Sequence, residues 1–222
     1  MKFDVLTLFP KGITSYFDQG LLNRAQGKGL IEINIHDLRN WSVDRHRTVD
    51  DKPYGGGNGM VLKVEPIYRA VKELKGRKRK TRTILLTPRG RKFDQKIAEE
   101  YSKLNQLIII SGRYEGVDER VAEYIADDQI SIGPYVLMSG DLPAMVIIET
   151  IARLETGVAG DQEWLTERTN RGGFWEGPQY TRPEIFSPNK KEKWIVPKCL
   201  IGGNHREIFD WREEHGRIIE SS

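Results

Sequence analysis

Three glycine-bearing stretches of this chain follow apolar runs and together could hold a small ligand. They are Thr87-Pro88-Arg89-Gly90, Gly112-Arg113-Tyr114-Glu115-Gly116 and Ile132-Gly133-Pro134-Tyr135-Val136-Leu137. The runs before them, Thr83–Thr87, Gln106–Ser111 and Gln129–Ile132, read as short buried strands. Loops leaving the carboxyl ends of such strands are where open α/β sheets bind ligands. Glycine lets a backbone come close to a ligand and leaves its N–H and C=O groups free to read a polar edge. Each loop alone has the composition of an ordinary turn. Three in succession point to one shared pocket.

Other chemistries lack their residues. Gly55-Gly56-Gly57-Asn58-Gly59 is glycine-rich, but it has no strand–turn–helix setting and no Gly-Lys-Ser/Thr ending, so it is neither a dinucleotide fingerprint nor a P-loop. His36, His46, His205 and His215 show no metal-ligand spacing, and a metal site is not expected. No nucleophile elbow is present. The single cysteine, Cys199, excludes an intramolecular disulfide.

The elements around those loops alternate. Lys2–Phe9 reads as a first strand, and Ile13, Tyr16, Phe17, Leu21 and Leu22 recur at helical spacing. Leu30–His36 reads as a second strand, and Leu38–Gly59 as one long loop. Helices are expected at Val64–Leu74, Ile97–Leu104, Val117–Ile125 and from Asp141 to about Leu154, the last opened by Pro143. Apolar strands alternating with helices indicate an α/β domain with a mainly parallel sheet. Gly157–Gly173 breaks the pattern. Beyond it, Trp175, Trp194 and Trp211 lie among prolines and charges, with a helix near Arg206–His215.

With 222 residues, 38% hydrophobic and 30% charged, the chain can bury a real core. No apolar run approaches the roughly 20 residues a membrane span needs, and the start carries an acid at Asp4 where a secretory signal would be apolar, so no membrane partner and a cytoplasmic address are expected. Net charge is only +3. Its distribution says more: Lys75, Arg77, Lys78, Arg79, Lys80 and Arg82 crowd together, and Lys190, Lys191 and Lys193 form a second cluster. Both suit phosphate binding, and both equally suit solvated turns.

Several of these stretches also carry a resemblance. His46-Arg47-Thr48-Val49-Asp50-Asp51-Lys52-Pro53-Tyr54-Gly55-Gly56-Gly57-Asn58-Gly59-Met60 is similar to a signature of the bacterial tRNA (guanine-N1-)-methyltransferases that act at tRNA position 37. Gly112–Arg120, Ser131–Leu137, Gly140–Met145, Tyr180–Glu184 and Gly203–His205 match in the same order, so the resemblance runs from Met1 to about Arg212. It implies a SPOUT-type sheet with a deep C-terminal trefoil knot in residues 1–157, a linker over 158–173, and a small, mainly helical, tRNA-binding domain over 174–222. It also implies S-adenosylmethionine as methyl donor, Mg²⁺ as an assisting ion, tRNA as substrate and an obligate homodimer. The cofactor residues it implies are Leu86, Thr87 and Pro88 of the first loop; Gly112, Tyr114, Glu115 and Gly116 of the second; Ser131, Ile132, Gly133, Tyr135 and Leu137 of the third; and Gly140 and Pro143 beyond.

The implied reaction is attack of guanine N1 on the sulfonium methyl group, after a base removes the ring proton. Negative charge then gathers on O6, where a cation helps most in the transition state. Arg153 matches the family's guanine-orienting arginine. The family's base is a linker aspartate, but Thr166-Glu167-Arg168-Thr169-Asn170 places Arg168 there, and arginine holds its proton too tightly to serve. Glu167 is the first candidate for the role, with Asp161 and Glu163 as others. Glu176 stands where the family has an aspartate. The departure at Arg168 leaves two alternatives: a related SPOUT RNA methyltransferase with a different target atom, or a catalytically impaired RNA-binding homologue.

Overall fold

A computed structural model describes residues 1–75, 80–160 and 173–220. The chain divides into two compact units, Met1–Gln162 and Glu163–Ser222.

The first unit is built on five parallel strands in the order β2-β1-β6-β5-β7. These are β1 (Lys2–Thr7), β2 (Glu32–Asp37), β5 (Thr81–Lys92), β6 (Gln106–Ser111) and β7 (Asp128–Ser131), with the short pair β3 (Asp50–Asp51) and β4 (Val61–Leu62) outside the sheet. Successive side chains of a strand point to opposite faces, and the sequence fills both. Phe3, Val5, Ile84, Leu107 and Ile109 pack on one face with α1 (Pro10–Phe17), α2 (Gly20–Gly27), α4 (Gln95–Tyr101) and α6 (Asp141–Ala152). Leu6, Leu85, Ile108 and Ile110 pack on the other with α3 (Val64–Lys75) and α5 (Glu119–Tyr124). Each such buried side chain contributes roughly 1.5–3 kcal/mol. The expected α/β class with a parallel sheet is borne out.

Local expectations differ in instructive places. The helical spacing from Ile13 to Leu22 is split between α1 and α2 at Asp18-Gln19. The stretch Leu38–Gly59 contains a 3₁₀ turn, Leu38–Trp41, capped by the Asp37 side chain, as well as β3. The strand expected to stop at Pro88 instead runs to Lys92. Ile130 of β7 is the register partner of Leu86 and, after a shift, of Arg91, so the same strand pairs twice with one residue. Between those pairings the chain passes hard against β7: a Cβ on Gly90 would lie 2.4 Å from the Ile130 nitrogen. Asp128 ties both sides of that passage together. Its Oδ2 accepts from Arg82 (3.0 Å), Arg91 (2.9 Å) and the Tyr101 hydroxyl (2.8 Å). Burial and the hydrogen bond to Asp128 push the Tyr101 hydroxyl's pKa well up, so it stays a donor.

Asp4, within β1, is fully buried. Burial opposes its ionisation, but hydrogen bonds from His36 (2.9 Å) and Gln106 (2.7 Å) and the nearby Lys2 ammonium (3.2 Å) outweigh that and hold its carboxyl below the usual range. Gln106 also donates to the Leu74 carbonyl, so the network joins β1, β2, β6 and the end of α3. A carboxyl with a lowered folded pKa stabilises the fold above its unfolded pKa, near 3.8, and that contribution is lost as pH falls through the folded value. Asp4→Asn is therefore expected to cost about 2 kcal/mol at neutral pH and to flatten the acid limb of the stability curve. Urea titrations between neutral pH and strong acid check both, and an unchanged acid limb would show that another carboxylate governs it.

The second unit, within its described residues, mixes helix and strand. It holds the antiparallel pairs β8 (Gly173–Glu176) with β11 (Arg217–Glu220) and β9 (Ile185–Phe186) with β10 (Trp194–Ile195), and the helices α7 (Lys198–Ile201) and α8 (His205–His215). The Trp211 ring stacks on His215 at 4.3 Å and meets Tyr180 edge-on at 6.0 Å.

Candidate functional site

The first unit has a cavity of about 440 Å³ at the carboxyl edge of its sheet, within the range of roughly 300–1,000 Å³ usual for small-molecule sites. Four pieces of backbone build it. β5 supplies Leu86, Thr87 and Pro88. The loop after β6 supplies Gly112, Tyr114, Glu115 and Gly116; the loop after β7 supplies Ile132, Gly133, Tyr135 and Leu137, with Ser131 at its base; Gly140 and Pro143 come from the start of α6. All fourteen residues singled out from the sequence thus line one cavity.

The β6 loop is a tight turn closed by Gly116 N–H donating to Arg113 C=O at 3.0 Å, with Tyr114 and Gly116 at φ +58° and +121°. Asp118 follows as the N-cap of α5; hydrogen bonding from Arg120 outweighs its modest burial and holds its carboxyl below the usual range. The β7 loop is folded by Ser131, whose hydroxyl donates to the Gly133 carbonyl (3.0 Å), and Tyr135 lies over Gly133 so closely that a Cβ there would sit 2.4 Å from its ring. The start of α6 is pinned to the sheet. Asp141 accepts from Thr7 (2.7 Å) and Ser111 (2.6 Å), and Gly140 N–H donates to Gly112 C=O (2.8 Å). A Cβ on Gly140 would come within 2.9 Å of the Ser111 Cα, so only glycine allows this approach.

The glycine-rich stretch near residue 57 has a place here too. Met60 C=O accepts from Glu115 N–H (3.1 Å), and Leu62 exchanges hydrogen bonds with Gly116 and Asp118, both 3.0 Å. Gly59, at φ +86°, leaves room for the Glu115 side chain, which a Cβ would meet at 2.5 Å. This stretch braces the β6 loop.

Arg89 and Arg113, inside the loops singled out but not named as cofactor residues, also line the cavity, and sequence reasoning missed Glu119, Met138 and Ser139 beside them. Arg89 pairs with Glu119 at 2.5 Å, and Arg113 lies over the Phe9 ring at 4.8 Å. Arg113 and Ser139 flank the singled-out Gly112 and Gly140 and bridge to one another, so adjacency was the available signal. Arg153, by contrast, is the exposed C-cap of α6 and is not among the lining residues. Glu167, Arg168, Asp161 and Glu163 lie outside the described residues; Glu176 is exposed on β8. Among the described residues no group of three or more His, Cys, Asp or Glu could hold a metal ion, and no helix is long and apolar enough to cross a membrane.

A parallel α/β sheet whose carboxyl-edge loops close round a small-molecule cavity, with glycines where backbone must approach backbone, defines a cofactor- or substrate-binding α/β enzyme class. Comparison with known proteins narrows this. A profile described as tRNA (Guanine-1)-methyltransferase TrmD matches residues 1–219. The chain is 50% identical over 214 residues to the tRNA (guanine-N(1)-)-methyltransferase of Dictyoglomus turgidum, covering 96% of this chain and 84% of that protein. It is 46% identical over 213 residues to the protein of the same name from Methylacidiphilum infernorum, covering 96% and 90%, and 47% identical to that of Geotalea uraniireducens, covering 100% and 88%. The chain belongs to the tRNA (guanine-N1)-methyltransferase family of enzymes.

Proposed function

We propose that this chain transfers a methyl group from S-adenosylmethionine to N1 of guanosine 37 in tRNA. The observation that carries the reading is the convergence of all fourteen residues on one cavity, in a chain whose relatives carry that name. The cavity suits the donor. Leu86, Ile132 and Leu137 offer apolar walls for a purine, the glycine-bearing loops let a ligand lie close to the backbone, and Glu115 offers negative charge to a cationic ligand. When bound, S-adenosylmethionine supplies the electrophilic methyl group. The rest falls to the chain: Glu167 takes the N1 proton, Asp161 and Glu163 being the other candidates for that role, and Arg153 faces the charge gathering on O6. Mg²⁺, which the resemblance brings in, is assigned no residues.

The passage of β5 past β7 supports a trefoil knot in residues 1–157, since Leu86 and Arg91 both pair with Ile130. A homodimer is supported by apolar side chains left on the surface of α6 and the turn before it. Leu142 and Val146 recur one helical turn apart at 50% and 39% exposure, and Met138 is 86% exposed. Residues 158–173 act as the linker and 174–222 as the tRNA-binding domain. A tRNA substrate supports a cytoplasmic address. The two alternatives, another target atom or an impaired homologue, are not favoured by relatives that share one name.

The test is methyl transfer to tRNA carrying guanosine at position 37, with nucleoside mass spectrometry of the product. N1-methylguanosine is expected. Methyl on a ribose or another base would overturn the reading. Glu167→Gln is expected to slow single-turnover transfer by about 10²–10⁴-fold; wild-type rates in that variant would remove Glu167 from the role and pass it to Asp161 or Glu163.

A further inference from the structure

The β9–β10 hairpin of the second unit leaves all four of its strand residues about half exposed: Ile185 47%, Phe186 50%, Trp194 61% and Ile195 54%. Its register sets Trp194 opposite Phe186 and Ile195 opposite Ile185. Opposed residues of an antiparallel pair share a face, so one face is aromatic, with ring centroids 5.5 Å apart, and the other aliphatic. The turn joining the strands carries Lys190, Lys191 and Lys193. Asn189 holds that turn, its carbonyl oxygen accepting from the N–H groups of Lys191 (2.8 Å) and Glu192 (3.1 Å) and its amide donating to the Glu192 carboxylate (3.1 Å). The acid of the turn is thereby engaged. The three lysines are exposed, with no ion pair among the described residues.

The chain's other basic cluster behaves differently at its first and last members, although Lys80 between them is exposed. Lys75 pairs with Asp127 at 3.5 Å, and Arg82 pairs with Glu100 at 2.7 Å and Asp128 at 3.0 Å. Those cations stabilise the first unit internally. The lysines of the hairpin are left for something outside it.

We infer that the β9–β10 hairpin is an RNA-contacting surface, its lysines meeting phosphates and its Phe186–Trp194 face meeting an unstacked base or ribose. Three clustered cations beside an exposed aromatic face match a polyanion that carries flat rings. A second copy meeting this one hairpin to hairpin would bring the same positive turn and be repelled. The inference rests on tRNA being the substrate and names a part of the second unit that grips it.

The test uses the full chain and tRNA carrying guanosine at position 37. The triple variant Lys190→Gln, Lys191→Gln, Lys193→Gln alters exposed, unpaired side chains, so its melting temperature should match wild type. Its tRNA affinity is expected to fall roughly tenfold, and the log–log dependence of affinity on salt to become shallower by about 2, because fewer counterions are released. Trp194→Ala is expected to weaken binding several-fold at unchanged salt slope, with Trp194→Phe restoring most of it. S-adenosylmethionine affinity should be unaffected throughout. If wild type methylates tRNA and the triple variant keeps both its affinity and its slope, the hairpin has no such role, while the methyltransferase reading stands. If wild type neither binds nor methylates tRNA, that reading falls and takes this one with it. A variant that changes sedimentation but not salt slope would make the hairpin a protein contact and overturn the inference.

Discussion

Arg153→Ala is expected to cut methyl transfer by at least about 100-fold while leaving S-adenosylmethionine affinity near wild type. As the guanine ring loses its N1 proton, charge moves to O6, and a fixed guanidinium there strengthens its interaction on the way to the transition state. The geometry adds a constraint on how Arg153 can act. Its helix, α6, begins at Asp141 against the cavity and ends with Arg153 as its C-cap. Twelve residues at about 1.5 Å each put it roughly 18 Å along the axis, farther than an arginine side chain extends. If Arg153 acts on the guanine, as proposed, the cavity it serves is that of a second copy. Mixed dimers separate the two cases. An Arg153→Ala subunit paired with a subunit whose cavity is filled by Leu137→Trp retains one complete site if Arg153 acts across the dimer, and none if it acts within its own chain. Full activity of Arg153→Ala alone would pass the role to Arg113, the lining arginine that stacks on Phe9 rather than on a carboxylate.

The parallel sheet was legible because a central strand buried on both faces is apolar through its middle, and Leu107–Ile110, within a strand buried at every position, is such a run. The cavity's glycines were legible for a related reason: close backbone approach leaves its mark in residue type, as at Gly140 against Ser111. What escaped was set at a distance. Pro88 and Gly90 carry the local signature of a stop, yet the strand continues because β7 offers a second pairing beyond them, a tertiary event that no window of sequence contains. The division between α1 and α2 escaped because Tyr16, Phe17, Leu21 and Leu22 keep helical phase across the break at Asp18-Gln19. The pairing of Arg89 with Glu119 escaped because a loop charge and a helix-start charge look solvated until the fold sets them 2.5 Å apart at the cavity wall. The base rests on the family resemblance alone, since the segment around Arg168 lies outside the described residues.

Replacing Gly90 with alanine is expected to destabilise the first unit by more than about 4 kcal/mol, beyond the usual range for a point substitution. The added Cβ would lie 2.4 Å from the Ile130 nitrogen and 2.6 Å from the carbonyl carbons of Gln129 and Ile130, all main-chain atoms that cannot rotate away. Relief would require β7 to move, and β7 is held by its ladder to β5 and by Asp128, on which Arg82, Arg91 and Tyr101 converge. The displacement would also reach the cavity, because Ile130 and the loop that follows β7 line it. Gly12→Ala is the matched control. That glycine lies in α1 with nothing within 4 Å of its missing Cβ, so alanine should stabilise the fold by about 0.5–1 kcal/mol through helix propensity and lost freedom in the unfolded chain. Guanidinium titrations of the two variants read both effects on one scale. Gly90→Ala at wild-type stability would mean that β5 clears β7 with room to spare, and the tight threading proposed for this domain would lose its structural basis.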